Sequence, residues 1–302
     1  MKWTEIVKRL IGWPLIRRRN ILLGHARAVE ICHKYLQEKN PEDFVGRLVA
    51  VRPQLKGKRI IWQYWGQGYE DVPELVRVCL ASVDRWCDNC AIIRLDDSNI
   101  WDYILIPEDI KKALDKLSRA AWSDVLRMCL MTLYGGCWLD ATVFLTSPLP
   151  ERYWNMPLFM FQRDDKEPDK KYWENAFAHY FGWGKEFRVN VLSSIIFAKP
   201  DNTEISEFTN LLLNLDILEE KFPHYFIPHI LYDVIRTEFH KDCVNVESDC
   251  IPHWLQQYMN DPKFFIADFE EILRKTGIHK LTYKNEGSDL KIKTLFPEYN
   301  DE

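Results

Sequence analysis

"SRAAWSDVLRMCLMTLYGGCWLDATVFLTSPL", residues 118–149, runs from a helical pattern through two glycines into a short apolar strand that ends at Asp140. Ala121, Val125, Leu126, Cys129, Leu130 and Leu133 recur at the spacing of a buried helix face. Gly135-Gly136 stops that helix, and the chain turns straight back into a strand. Ser123, Asp124 and Arg127 interrupt the apolar set, and Asp124 and Arg127, three apart, are neighbours on one face. They read either as an ordinary surface ion pair or as one wall of a cleft. Asp140 lies between Leu139 and Ala141, ahead of the apolar Val143-Phe144-Leu145. An unpaired carboxylate is costly to bury. The strand is therefore expected to end at a cleft, with Asp140 facing a cation, a sugar or a phosphate; the other reading is an aspartate capping a turn.

The flanks extend this pattern. "RIIWQYWG" (59–66) is rich in β-formers and stops at a glycine, as a strand does. Apolar residues at 75, 76, 79, 80 and 83 mark a helix between Pro73 and Cys87, and "AIIRLDD" (91–97) is a second strand. A β-α-β opening followed by another helix predicts an α/β fold, its mixed and mostly parallel sheet flanked by helical crossovers. "LFMFQR" (158–163) and "VLSSIIFAKP" (191–200) add strands, and the aromatic segment 170–187 between them reads as a substrate loop. Residues 21–50 look helical as far as Asn40-Pro41, and 53–58 reads as a linker. The chain accordingly divides into an N-terminal basic helical segment, 1–50, and a larger domain, 51–302.

A net charge of −5 excludes a nucleic-acid binder driven by overall basicity. Twelve tryptophans and thirteen tyrosines supply flat faces that suit sugar rings or bases, although such rings also fill cores. Of eight cysteines only Cys87 and Cys90 form a close pair, short of a four-ligand zinc pattern. With no signal peptide at the start, a reducing cytoplasm is expected. The opening "MKWTEIVKRLIGWPLIRRRN" interleaves Trp3, Ile6, Val7, Leu10 and Ile11 with Lys2, Lys8 and Arg9, then adds Arg17-Arg18-Arg19. It is too short and too charged to span a bilayer. It suits an anionic leaflet, where each basic residue contributes about 1 kcal/mol, and so a peripheral place at the inner face of the cell membrane. The alternative is a helix packed on the domain with its basic face in water.

Ser123-Asp124-x-x-Arg127, then Gly135-Gly136-Cys137-Trp138-Leu139-Asp140, resembles the core of the capsular polysaccharide synthesis glycosyltransferases. These are relatives of the family 32 sugar transferases and, more distantly, of clostridial glucosylating toxins. "RIIWQYWGQG", "NIWDYILIPEDIKKAL" and the closing "IHKLTYK" fall in the same order, so the resemblance spans about residues 58–290. It implies a GT-A fold and transfer of a hexose, with retention, from a nucleotide-diphosphate sugar such as a UDP-sugar. The implied acceptor is an oligosaccharide or a lipid-linked glycan at the inner leaflet. By the matched positions, Ser123, Asp124 and Arg127 contact the donor, Asp140 holds its ribose or a metal ion, and Trp65 stacks on the base.

One departure stands out: the family at large carries Asp-x-Asp, and this chain has Asp140-Ala141-Thr142. A hydroxyl is a weak ligand for a hard cation. His279 could complete a site with Asp140 and Thr142, which would favour manganese over magnesium as the divalent cation. Lys280 and Lys284 could meet the diphosphate instead of, or beside, a metal. Asp164 and Asp165, just past a strand, suit donor or acceptor hydroxyls but also a solvated turn; Asn190, His229 and Asp233 are weaker acceptor-side candidates. Two other classes remain. One is a catalytically silent GT-A-like sugar- or nucleotide-binding protein. The other, a nucleotidyltransferase, would show a glycine-rich phosphate loop, which this sequence lacks.

Overall fold

A computed structural model describes residues 13–37, 42–218, 225–239, 247–263 and 265–300. Its strands are β1 (Val49–Ala50), β2 (Ile60–Tyr64), β3 (Ala91–Leu95), β4 (Ile104–Leu105), β5 (Gly136–Leu139), β6 (Val143–Leu145), β7 (Leu158–Gln162), β8 (Val191–Ala198) and β9 (Ile278–Lys280). Five of them form the central sheet in the order β3-β2-β5-β8-β7. β3, β2 and β5 pair in parallel, and β8 runs antiparallel between β5 and β7. Four of the five strands therefore point one way, as the alternation of strands and helices predicts. Two ribbons, β1-β4 and β6-β9, pair beside it.

The helices that matter for the site are α1 (Trp13–Gln37), α2 (Glu74–Trp86), α3 (Arg119–Tyr134), α4 (Thr203–Leu218) and α5 (Ile227–Val234). Every residue of β2 and β5 is buried, the signature of strands covered on both faces. Trp62 and Trp138 lie side by side in the parallel register at the centre of the sheet. α3 begins at Ser118, whose hydroxyl accepts from the Ala121 amide, and ends at Gly135 with φ of 69°. Gly136 follows with φ of 100°. A Cβ at Gly135 would stand 2.6 Å from the Pro200 nitrogen, and one at Gly136 2.7 Å from the Ile60 carbonyl oxygen. Only glycine fits this return, which sets β5 beside β2 directly after the helix.

The connections fix where a ligand can bind. From β2 the chain crosses through α2 to β3 on one side, then returns through α3 to β5 on the other side of β2. That reversal opens a crevice between the carboxyl ends of β2 and β5, the place where open α/β sheets take their ligands. Trp65 follows the end of β2, and Asp140 follows the end of β5.

Two further segments decide between readings left open above. α1 packs against α5 and α4 and buries Ile21, His25, Ala28 and Cys32, one helical stripe, so the N-terminal extension shares the core of the larger domain. Arg18 and Arg19 remain exposed. Trp3, Ile6, Val7, Leu10 and Ile11 lie outside the described residues. Among those described, no helix is long and apolar enough to cross a membrane. The segment 170–187 turns its aromatic rings inward. Trp173, Tyr180, Phe181 and Phe187 are buried, and the last three surround the guanidinium of Arg163. That guanidinium donates to both Asp249 oxygens, at 3.0 and 2.9 Å, and to the Tyr180 and Gly182 carbonyls. This is a buried structural ion pair rather than an aromatic platform for sugar. The described cysteines are free thiols, and burial pushes Cys87 up to about 12.

Candidate active site

Asp140 is held from three directions. Its amide donates to the Ser194 carbonyl on β8 (2.9 Å), which fixes the backbone at the strand end. Oδ1 accepts from Arg127 Nη2 (3.2 Å) on α3 and from Trp138 Nε1 (2.9 Å) on β5. Oδ2 accepts from Lys280 Nζ (3.0 Å) on β9. Burial acts to raise this carboxyl, but the Lys280 ammonium and the Arg127 guanidinium overcome it and hold the group well below the usual carboxylate range.

Arg127 is the hub. It is 6% exposed, and its guanidinium lies over the Trp138 ring at 5.2 Å. Nη1 meets Asp124 Oδ1 (3.0 Å), the Ser193 carbonyl (3.0 Å) and Ser193 Oγ (2.6 Å); Nη2 reaches Ser123 Oγ at 3.4 Å. Ser193 Oγ in turn meets His229 Nε2 on α5 at 3.0 Å. The helical spacing of Ser123, Asp124 and Arg127 therefore builds a cleft wall, not a surface pair. Burial pushes the Asp124 carboxyl up to about 6, against the pull of Arg127, and Asp140 adds repulsion. Two neighbouring carboxyls are thus driven apart: Asp140 stays ionised, and Asp124 stands near the edge of protonation.

β9 delivers the remaining group. Antiparallel pairing sets Val143 opposite Lys280 and Phe144 opposite His279. Successive side chains of a strand point to opposite faces, so Lys280 reaches Asp140 and Thr142 while His279 turns away. Lys280 Nζ donates to Thr142 Oγ1 at 2.5 Å. His279 is fully buried near Phe144 and meets Thr146 Oγ1 at 3.0 Å; burial pushes its imidazole down to about 3. The structure does not bring His279 to Asp140 and Thr142.

The other expected residues lie at the rim or apart. Trp65 packs on Val72, Val76, Leu80 and Ala141 and makes an edge contact with Tyr283 at 5.6 Å. It directly follows the carboxyl end of β2, as Asp140 follows that of β5. Lys284 is exposed next to Tyr283. Asp164 accepts from the Lys166 amide (2.8 Å), and the Asp165 carbonyl accepts from Lys170 Nζ (2.5 Å). Neither joins the Asp140 group, and together they form a solvated turn. Asn190 and Asp233 hydrogen-bond one another (3.1 Å) beside Arg188.

Sequence reasoning passed over Ser193, Tyr225 and Tyr283. Ser193 had a signal, a polar pair inside the apolar strand "VLSSIIFA". Tyr225 is 73% exposed and lies far from Asp140 in sequence. It stands in the field of the Asp124 and Asp140 carboxylates, which sets it by the cleft although its ring is largely in solvent.

A hard divalent cation takes about six or more oxygen ligands, carboxylates foremost among them. Here Asp140 brings one carboxylate whose two oxygens already serve Arg127, Trp138 and Lys280, and Thr142 brings a hydroxyl that accepts from Lys280. Among the described residues no three His, Cys, Asp or Glu side chains are grouped to hold a metal ion. As arranged, this donor set does not fit the manganese site that Asp140, Thr142 and His279 were expected to form.

Fold and site together define an α/β protein with a charged cleft at the switch point of its sheet. Residues 18–299 match the family described as capsular polysaccharide synthesis protein, and the chain belongs to that family. No curated protein matches it. Among solved structures it is distantly similar to the PaToxG glycosyltransferase, with a TM-score of 0.38 and 11% identity over 74% of this chain and 80% of that chain.

Proposed function

We propose that the chain is a glycosyltransferase of capsule synthesis that moves a hexose from a nucleoside-diphosphate sugar, UDP-sugar foremost, to a glycan acceptor carried on a lipid. The observation that carries this reading is the Asp140–Arg127–Lys280 group at the switch point of the sheet. It assembles helix α3, strand β5 and the C-terminal strand β9 around one carboxylate. Family membership supports the same role.

In this reading Asp140 and Asp124 accept hydrogen bonds from donor hydroxyls, and Trp65 receives the base at the mouth of the crevice. Transfer breaks the bond from the sugar's C1 to the diphosphate oxygen and forms one from C1 to the acceptor oxygen. The acceptor's hydroxyl proton passes to the leaving diphosphate on the same face, which retains configuration and needs no separate base. Preorganised positive charge at that diphosphate is the main catalytic contribution required of the protein. The basic N-terminal stretch brings the enzyme to the anionic leaflet where a lipid-linked acceptor would lie.

The test is release of nucleoside diphosphate from a panel of UDP- and GDP-sugars by the purified protein, with and without a lipid-linked glycan fraction. Sugar-specific release by wild-type protein, lost in Asp140→Asn, is expected. Tight nucleotide binding without release under any condition would instead identify a silent binding protein.

A further inference from the structure

We propose that the Lys280 ammonium, backed by the Arg127 guanidinium, takes the place of a divalent cation at the donor diphosphate, so that nucleotide binding and transfer need no metal. The inference rests on the transferase reading above. Its ground is the way one ammonium sits on both side chains of the Asp140-Ala141-Thr142 motif, 3.0 Å from the carboxylate and 2.5 Å from the hydroxyl. An ammonium carries three donors; two are spent on Asp140 and Thr142, and the third remains for a phosphate oxygen. Lys280 is 20% exposed, so it is held by the protein yet open to the crevice.

Thr142 keeps the charge balance of the group from turning negative. A carboxylate there would add a third anion to the Asp124 and Asp140 carboxyls that Lys280 and Arg127 already face. The hydroxyl fixes the ammonium without adding one. Arg127, shared between Asp124 and Asp140, supplies a second fixed positive charge at the same carboxylate. The register of β9 on β6 makes the substitution structural: it sends Lys280 into the crevice and the imidazole beside it into the core. As C1 leaves the diphosphate oxygen, the added negative charge meets these two cations.

The experiment is calorimetric titration of the full chain with UDP, GDP, ADP and dTDP and with their nucleosides, in chelator and then in manganese or magnesium. One diphosphate should bind in chelator, with cations changing its Kd by less than about threefold. Because a charge-assisted hydrogen bond is at stake, Lys280→Met should weaken that diphosphate about tenfold or more and leave the nucleoside nearly unaffected. Lys280→Arg should recover most of the loss. Binding that vanishes in chelator and returns with manganese would overturn the proposal and leave the transferase intact, as would full diphosphate affinity in Lys280→Met. Failure of every diphosphate to bind, with or without cation, would remove the transferase reading itself.

Discussion

At the scale of single residues, the two carboxyls of the cleft should announce themselves by opposite responses to pH. Asp124 has its folded value raised to about 6 by burial. A raised carboxyl favours the folded state most below its unfolded value near 3.8, and that contribution is lost as pH rises through 6. Asp140 is depressed, so its contribution is present above 3.8 and disappears only in strong acid. If the ionised Asp124 accepts a donor hydroxyl, transfer should show an acid limb near pH 6. A pH–rate profile should lose that limb in Asp124→Asn. Asp140→Asn keeps the shape and removes the charge partner of Arg127 and Lys280. It should cut transfer about 100-fold or more. It should also cost roughly 1–3 kcal/mol of stability, read as a lower urea midpoint. Both carboxylates were legible in the sequence because each breaks an apolar pattern. Ser193 also breaks an apolar strand, but its role and that of Tyr225 were not legible, since nothing local shows that β8 and the entry to α5 close over Arg127.

At the scale of elements, the helix–glycine–strand return and the β6-β9 ribbon carry the site. Gly135→Ala or Gly136→Ala should cost about 1–3 kcal/mol from the backbone conformation alone. The contacts at 2.6 and 2.7 Å add to that, and denaturation midpoints for the two variants would measure it. Helix α3 and strand β5 could be read from their periodicities; β9 could not. A three-residue strand shows too little alternation to say which of His279 and Lys280 faces inward, and a one-residue slip would exchange them. That register, set by pairing with a segment more than a hundred residues away, is why the expected histidine ligand is a core residue. Its imidazole is depressed to about 3 by burial, below an unfolded value near 6.5. Such a group supports the fold above pH 6.5 and withdraws that support as pH falls. His253, lowered to about 4 chiefly by burial, acts in the same direction. The two imidazoles together outweigh the opposite gain from Asp124, so melting temperature should fall from pH 7 to pH 4, and His279→Leu should flatten part of that fall while leaving UDP affinity unchanged.

At the scale of the whole molecule, strand order decides where chemistry can occur, and the proposed membrane contact is a question about the N-terminus. The α/β class followed from alternating strand and helix patterns. The reversal of order around β2, which creates the crevice, is a property of how the strands assemble and no single segment displays it. The same limit applies to α1. Its basic, apolar sequence suits a membrane surface and a core equally well, and only the packing partner separates the two. Ile21, Ala28 and Cys32 are buried against the domain, so this part of the extension is structural. The proposed membrane contact would then rest on residues 1–12 and on the exposed Arg18 and Arg19. Removing residues 1–12 deletes Lys2, Lys8 and Arg9. At about 1 kcal/mol per basic residue, affinity for phosphatidylserine vesicles should drop about 100-fold in a sedimentation assay. Melting temperature and soluble UDP binding should stay as they were. Removing residues 1–37 should instead lower stability by several kcal/mol, because burying a single isoleucine contributes about 1.5–3 kcal/mol. Equal vesicle binding by the full chain and the 1–12 deletion would place the recruiting surface elsewhere on the domain.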